Sequence, residues 1–260
     1  MVTGAAARAA GEAATRVAPR GLSRRAPRRS GRGRFSGWVF GAAKAKLSPM
    51  RIIDMSQPLF DGCPNCPDHP PVKAGIVFDH DEVGWRLERI ECANHTASHV
   101  DAPLHKIKGA ASLDAIPLER WVGPAYAADL RPCRADQRFG PDDLAAKFRA
   151  DLRDRVVLLC TGWGERRART DEWLNHAPML GTDGARWLVE RGVRGVGIDY
   201  YSIGDAAVHE TLLSNNVWIV EELSFPPEVL ALPQPFEFWT LPVNFKGMTG
   251  AFCRPVAVVR

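Results

Sequence analysis

The chain has 260 residues, with 34 Lys and Arg against 30 Asp and Glu. The charge is unevenly spread: residues 1–50 hold eleven basic side chains and the single acid Glu12, a net of +10, while the remainder is net −6. That split excludes a uniformly basic protein, and six Cys without framework spacing exclude a small disulfide scaffold and favour a reducing, cytoplasmic compartment.

Residues 1–49 are mostly Ala, Arg, Gly, Ser and Pro without helical or strand periodicity, so they read as a disordered basic extension. Three explanations fit them: an organelle transit peptide, an arm for nucleic acid or a membrane surface, and a non-structural extension of a functional chain that starts at Met50. Residues 50–260 read as one domain, long enough for a single core. No run of roughly 18 apolar residues is present, so no membrane span is expected. The acidic balance of the domain argues against nucleic acid as a partner.

Arg51 to Ser56 reads as a first strand, and Asp61 to Pro67 is a turn-rich loop. Trp85 to Cys92 alternates apolar and polar residues, the period of a half-buried strand. Val156 to Cys160 and Val193 to Ile198 are continuous apolar runs, as in buried central strands. Between them Thr182 to Gly192 reads as a helix with an N-terminal capping residue and a C-terminal Gly, and Asp205 to Asn215 reads as a second helix. Val217 to Glu221 is a further strand, and Phe236 to Val259 contains more. Helices mixed with at least six strands point to an α/β or α+β fold.

Three of the seven His fall in His95-Thr96-Ala97-Ser98-His99-Val100-Asp101-Ala102-Pro103-Leu104-His105. Imidazoles with a carboxylate form the ligand set of a catalytic divalent metal such as zinc or manganese. On a straight strand His95 and Asp101 would lie roughly 20 Å apart, and on a helix Asp101 would point away from His95 and His99. A shared ion therefore requires a tight bend, for which Ala97 and Ser98 are small enough. Pro103 keeps Ala102 from continuing as helix. The expected picture is a strand ending near Ala93 and a loop that folds its side chains around an ion.

These eleven residues resemble the His-x-Gly-Thr-His-x-Asp-x-Pro-x-His signature of the cyclase family of metal-dependent hydrolases, which includes bacterial kynurenine formamidases and isatin hydrolases. Every ionisable position matches; Ala97 stands for the usual Gly and Ser98 for the usual Thr. Asp54-Met55-Ser56-Gln57-Pro58-Leu59 is similar to the family's opening strand, and Gly197-Ile198-Asp199-Tyr200-Tyr201-Ser202 to its Gly-x-Asp-x-x-Ser segment. His209 followed twelve residues later by Glu221 resembles the segment that completes the family's metal site.

The resemblance implies a swivelling β/β/α domain that forms a homodimer or higher homo-oligomer. It implies one metal on His95, His99 and Asp101, with Asp101, His209 and Glu221 around a second where two ions are bound. Asp199 and Ser202 would orient ligands. A metal-bound hydroxide would cleave the C–N bond of an aryl formamide of N-formylkynurenine type, as in tryptophan catabolism, and His105 would be the catalytic proton shuttle. Hydrolysis of a cyclic amide or lactone of isatin type is the alternative substrate reading; a metal-stabilised ligand-binding protein is the non-enzymatic one. Two other features compete for function. Cys63-x2-Cys66-x2-His69 with His80 has the spacing of a structural zinc site, and Trp85, Trp121, Trp163, Trp187, Trp218 and Trp239 are candidates for an aromatic pocket or for core.

Overall fold

The apolar runs at Val156 and Gly195 become the middle of a nine-stranded mixed sheet, and every residue of these two strands is buried. The computed structural model describes residues 50–260; the disorder and targeting expected of residues 1–49 lie outside the described residues. In chain order the strands are β1 (Arg51–Asp54), β2 (Lys73–Phe78), β3 (Leu87–Glu91), β4 (His99–Asp101), β5 (Val122–Asp129), β6 (Arg138–Phe139) and β7 (Val156–Cys160). Then follow β8 (Met179–Leu180), β9 (Gly195–Ile198), β10 (Trp218–Glu221), β11 (Phe236–Trp239), β12 (Gly250–Phe252) and β13 (Val256–Val259). The large sheet has the order β1-β13-β11-β5-β7-β9-β10-β4-β12. Its centre, β5 to β10, is parallel, and antiparallel strands flank it on both sides.

β12 and β13 stand seven positions apart in that order, yet only Cys253 to Pro255 separate them in the chain. So short a link reaches roughly 14 Å, whereas seven strand spacings of about 4.8 Å span far more. The sheet must therefore curl until its ends approach. The seam is closed by an isolated bridge between Ser56 and Leu223 and by Ser224 N–H donating to the Met55 carbonyl at 2.7 Å.

Curling gives the strands two apolar sides, which period-two alternation fills separately. Val156, Leu158, Trp218 and Val220 point inward with Trp121 and Phe238, and the Trp121 and Trp218 rings lie 5.4 Å apart. Val157, Leu159, Val196, Ile198 and Ile219 point outward beneath the helices Thr182–Glu190 and Ala206–Ser214, against Leu188, Val208 and Leu212. The result is the mixed α/β domain expected, and among the described residues no helix is long and apolar enough to cross a membrane. Trp121, Trp163 and Trp218 are core residues.

One expected strand differs. Trp85 to Cys92 is not half-buried: β3 covers Leu87–Glu91, all five residues are exposed, and its partner is β2 in a separate hairpin. The alternation there is that of a ribbon on which no layer of the described residues packs, and Trp85 before it is 74% exposed.

Gly195 lets β9 pass beneath the Trp218 indole, because a Cβ at that position would fall within the ring system. Gly195→Ala is expected to destabilise the protein by about 1–3 kcal/mol through overpacking. A urea midpoint equal to that of the parent would show that the indole does not occupy that space.

Candidate metal centre

The site forms where β4 pairs with β10 in antiparallel register, Glu221 opposite His99 and Ile219 opposite Asp101. Val100 and Val220 face the inner core, so the alternation sends His99, Asp101 and Glu221 to the helical side. The helix Ala206–Ser214 covers that side and delivers His209. Asp205 sets the helix start by accepting from Ala207 N–H at 3.0 Å and Val208 N–H at 3.1 Å.

His95 lies outside β4 and is brought back by a reversal at Ala97, whose φ of 51° is in the left-handed region. The bend inferred from the spacing is thus present, with the difference that His99 to Asp101 is itself a strand and not part of the loop. Gly250, opposite Asp101 on β12, leaves room for His95: a Cβ there would meet the imidazole and the Val100 carbonyl. Ser98 Oγ accepts from Gln57 N–H at 2.7 Å and donates to the Glu222 carbonyl at 2.6 Å, tying the motif loop to both ends of the sheet's seam. Ala102 is extended, and a 3-10 turn over Pro103–His105 returns His105 onto His95, ring centroids 3.9 Å apart.

The polar atoms converge closely. His95 Nδ1 lies 2.7 Å from Asp101 Oδ1, and its Nε2 lies 2.8 Å from Thr249 Oγ1. His99 Nε2 is 3.2 Å from Glu221 Oε2 and 3.5 Å from Asp101 Oδ1. His209 Nε2 is 3.3 Å from Glu221 Oε1 and 3.8 Å from Asp101 Oδ2. Nδ1 of His99 contacts the Ala97 carbonyl at 2.8 Å and Nδ1 of His209 the Asp205 carbonyl at 3.0 Å. A carbonyl only accepts, so both Nδ1 atoms carry hydrogen and both Nε2 atoms are turned to the carboxylates. Ile203 N–H donates to Glu221 Oε1 at 2.6 Å.

Burial disfavours charge on His99 and His209, yet the hydrogen bond to Glu221 and the charges of Asp101 and Glu221 raise each to about 9. Asp101 and Glu221 are also opposed by burial, but the surrounding imidazoles hold both below the usual carboxylate range. His105, solvent-exposed on one side, is pushed down by partial withdrawal from water against the pull of Asp101.

The ligand atoms of His95, Asp101 and His105, and separately those of His99, Asp101 and Glu221, lie within 4.8 Å of one another. Asp101 is common to both groups, and its Oδ2 is buried without a hydrogen-bond partner among the described residues. An orphaned carboxylate oxygen amid imidazoles and a second carboxylate is what a divalent cation would satisfy, so these residues fit such an ion. His105 lies close enough to belong to the first group, a placement that the spacing did not reveal.

Other expected residues lie apart. Asp199 is buried but accepts from Thr161 N–H (3.0 Å), Thr161 Oγ1 (2.6 Å) and Gly162 N–H (2.7 Å), anchoring a turn instead of a ligand. Ser202 Oγ donates to the Gly204 carbonyl at 2.7 Å, which shapes the turn carrying Ile203. Neither residue hydrogen-bonds to the His and acid cluster. Cys63, Cys66, His69 and His80 form no ligand group among the described residues, and His80 instead pairs with Asp79. Thr249, the Ile203 N–H and Gly250 act on the site without any signal in residue spacing. Glu222, with φ of 51°, turns away from Glu221 and pairs with buried Arg167 at 2.7 Å. Burial pushes its carboxyl up to about 7 although Arg167 opposes this.

A curled mixed sheet with a buried His and acid cluster at its helical face defines the class, and comparison with known proteins agrees. The family described as Putative cyclase matches residues 53–205, and the chain belongs to it. Kynurenine formamidase of Bacillus anthracis is 25% identical over 199 residues, covering 72% of this chain and 91% of that protein. The Bordetella avium enzyme of the same name is 28% identical over 198 residues, covering 70% and 90%. Isatin hydrolase A from Ralstonia solanacearum superposes with a TM-score of 0.72 at 25% identity, covering 81% of this chain and 92% of that one. A structure described as a potential metal-dependent hydrolase with cyclase activity gives 0.67 at 28% identity, covering 81% and 98%. The protein is a cyclase-family hydrolase.

Asp199→Asn removes acceptor capacity from a buried turn and should cost about 1–3 kcal/mol of stability. Metal content, measured by atomic emission on purified protein, should stay at the parent value. Loss of metal without loss of stability would place Asp199 among the ligand-orienting residues after all.

Proposed function

We propose that this protein hydrolyses the C–N bond of an aryl formamide of N-formylkynurenine type, releasing formate and an aryl amine. The observation that carries the reading is the convergence of buried Asp101 and Glu221 with buried His95 and His99 and partly buried His209, beside a solvent-facing His105. His95, His99 and Asp101 would hold one divalent ion, with Asp101, His209 and Glu221 around a second; zinc and manganese both suit the donor set. When bound, such an ion supplies Lewis acidity, polarising a carbonyl and lowering the pKa of water from about 15.7 towards 7.

The chain's own residues supply orientation and proton transfer. The Ala97 and Asp205 carbonyls fix the His99 and His209 rings, and Ile203 N–H fixes Glu221. His105 stacks on His95 at the exposed edge, where an imidazole exchanges protons with solvent and substrate. Its role is to take a proton at the attack step and return it to the departing amine nitrogen, so that water adds across the C–N bond and charge is conserved. Ring opening of an isatin-like amide makes the same demands, and the similarity to isatin hydrolase supports that second reading.

A homo-oligomer belongs to the same proposal. The β2–β3 hairpin exposes Ile76, Val77, Leu87 and Ile90, apolar surface that association between copies would cover.

His99→Ala should abolish both bound metal and hydrolysis of N-formylkynurenine. His105→Ala should keep metal and lower kcat by about 100- to 10,000-fold. Unchanged turnover in both variants, assayed on protein reconstituted separately with zinc and manganese, would sink the assignment.

A further inference from the structure

Beside the proposed metal centre lies a cavity of about 270 Å³, walled by Asn65, Cys66 and His69 on one loop and by Arg169 and Leu174 across from it. It adjoins the centre through His69. His69 lies against the backbone of His95 and within range of His99 and Glu221. Leu174 is held by the hydroxyls of Tyr200 and Tyr201, which donate to its carbonyl at 2.8 and 2.6 Å. Ser202 alone separates these tyrosines from Ile203, whose N–H holds Glu221.

Two polar atoms of this wall are buried and have no hydrogen-bond partner among the described residues: Asn65 Oδ1 and His69 Nδ1. The Asn65 orientation is set by Nδ2, which donates to the Pro70 carbonyl at 3.3 Å, so the atom left over is an acceptor. His69 Nδ1 is a second acceptor, because the other ring nitrogen turns its hydrogen to the His95 backbone. Arg169, the third polar member, has no ion-pair partner among the described residues, whereas its neighbours Arg166 and Arg167 pair with Glu172 and Glu222. A buried acceptor without a donor and a cation without an anion are each costly or idle unless a ligand completes them.

The geometry points to this cavity as a subsite for an α-amino-acid head group on the substrate, its carboxylate on Arg169 and its ammonium on Asn65 Oδ1 and His69 Nδ1. A simple anion would satisfy Arg169 but leave the Asn65 carbonyl facing like charge, and an apolar group would satisfy neither. The zwitterion supplies a bidentate acceptor for the guanidinium and donors for the amide oxygen at once. The inference rests on the formamidase reading and adds to it: the site would select aryl formamides that carry an amino-acid arm over bare aryl formamides and over isatin-like rings.

Calorimetric titration of the metal-loaded full chain with L-kynurenine and with 2-aminoacetophenone, the same aryl ketone without the arm, tests it independently of turnover. Wild-type protein should bind kynurenine about tenfold to a hundredfold more tightly. Arg169→Met should remove most of that difference, Arg169→Lys part of it, and Asn65→Ala should weaken kynurenine alone; 2-aminoacetophenone should bind all four proteins equally. Arg169 is exposed, and circular dichroism should show its variants folded. Equal affinity of the wild type for both compounds, or an unaltered kynurenine affinity in Arg169→Met, would overturn the subsite. The two proposals separate cleanly: cleavage of formanilide without discrimination between the two ketones leaves the reaction standing and the subsite refuted. Kynurenine binding through Arg169 without cleavage of any formamide does the reverse.

Discussion

Two carboxylates buried side by side govern this structure. Asp101 and Glu221 sit on paired strands with at most a few per cent of their surface exposed, where ionised groups are tolerated only with compensating partners. Register and alternation leave them no other direction, because Val100 and Val220 between them are fixed in the inner core. The reversal at Ala97, the start of the helix at Asp205 and the turn at Ile203 each deliver a hydrogen-bond donor or an imidazole to this one place. The proton affinity that the acids induce in His99 and His209 expresses the same demand that a divalent cation would meet.

Much of this was legible in the residues. Continuous apolar runs marked β7 and β9 because both of their faces are covered, one by the curl and one by helices. The helix around His209 announced itself through its Asp205 cap. The crowding of His95, His99, Asp101 and His105 into eleven positions, with the need for a bend between the first two, anticipated the reversal that Ala97 makes. Ala97 adopts there a conformation that glycine reaches at lower cost, so the reversal is imposed by the surroundings and not by local preference.

What stayed hidden depends on contacts between distant segments. The hairpin at Leu87 has the alternation of a half-buried strand, but alternation records which side chains share a face and not whether another layer covers it. Asp199 lies in a segment that resembles the family's, yet its three short hydrogen bonds are to a loop nearly forty residues earlier in the chain. Thr249 and Gly250 touch His95 across some 155 residues of sequence, beyond the reach of any spacing rule.

The adjacent pair Glu221-Glu222 shows how the fold resolves what sequence leaves ambiguous. Both side chains are buried at the end of one strand, and continued extended backbone would already send them to opposite faces. The left-handed φ at Glu222 adds a turn, so that its N–H reaches the Tyr200 carbonyl and the next N–H reaches Ile198. Glu222 then meets Arg167, which also donates to the carbonyls of Pro58 (2.8 Å) and Pro64 (3.2 Å). One acid is thereby committed to a cation supplied by the chain, which secures the loop leading to His69. The other is left among imidazoles beside an Asp101 oxygen that is unpartnered among the described residues, an arrangement that a divalent cation would satisfy.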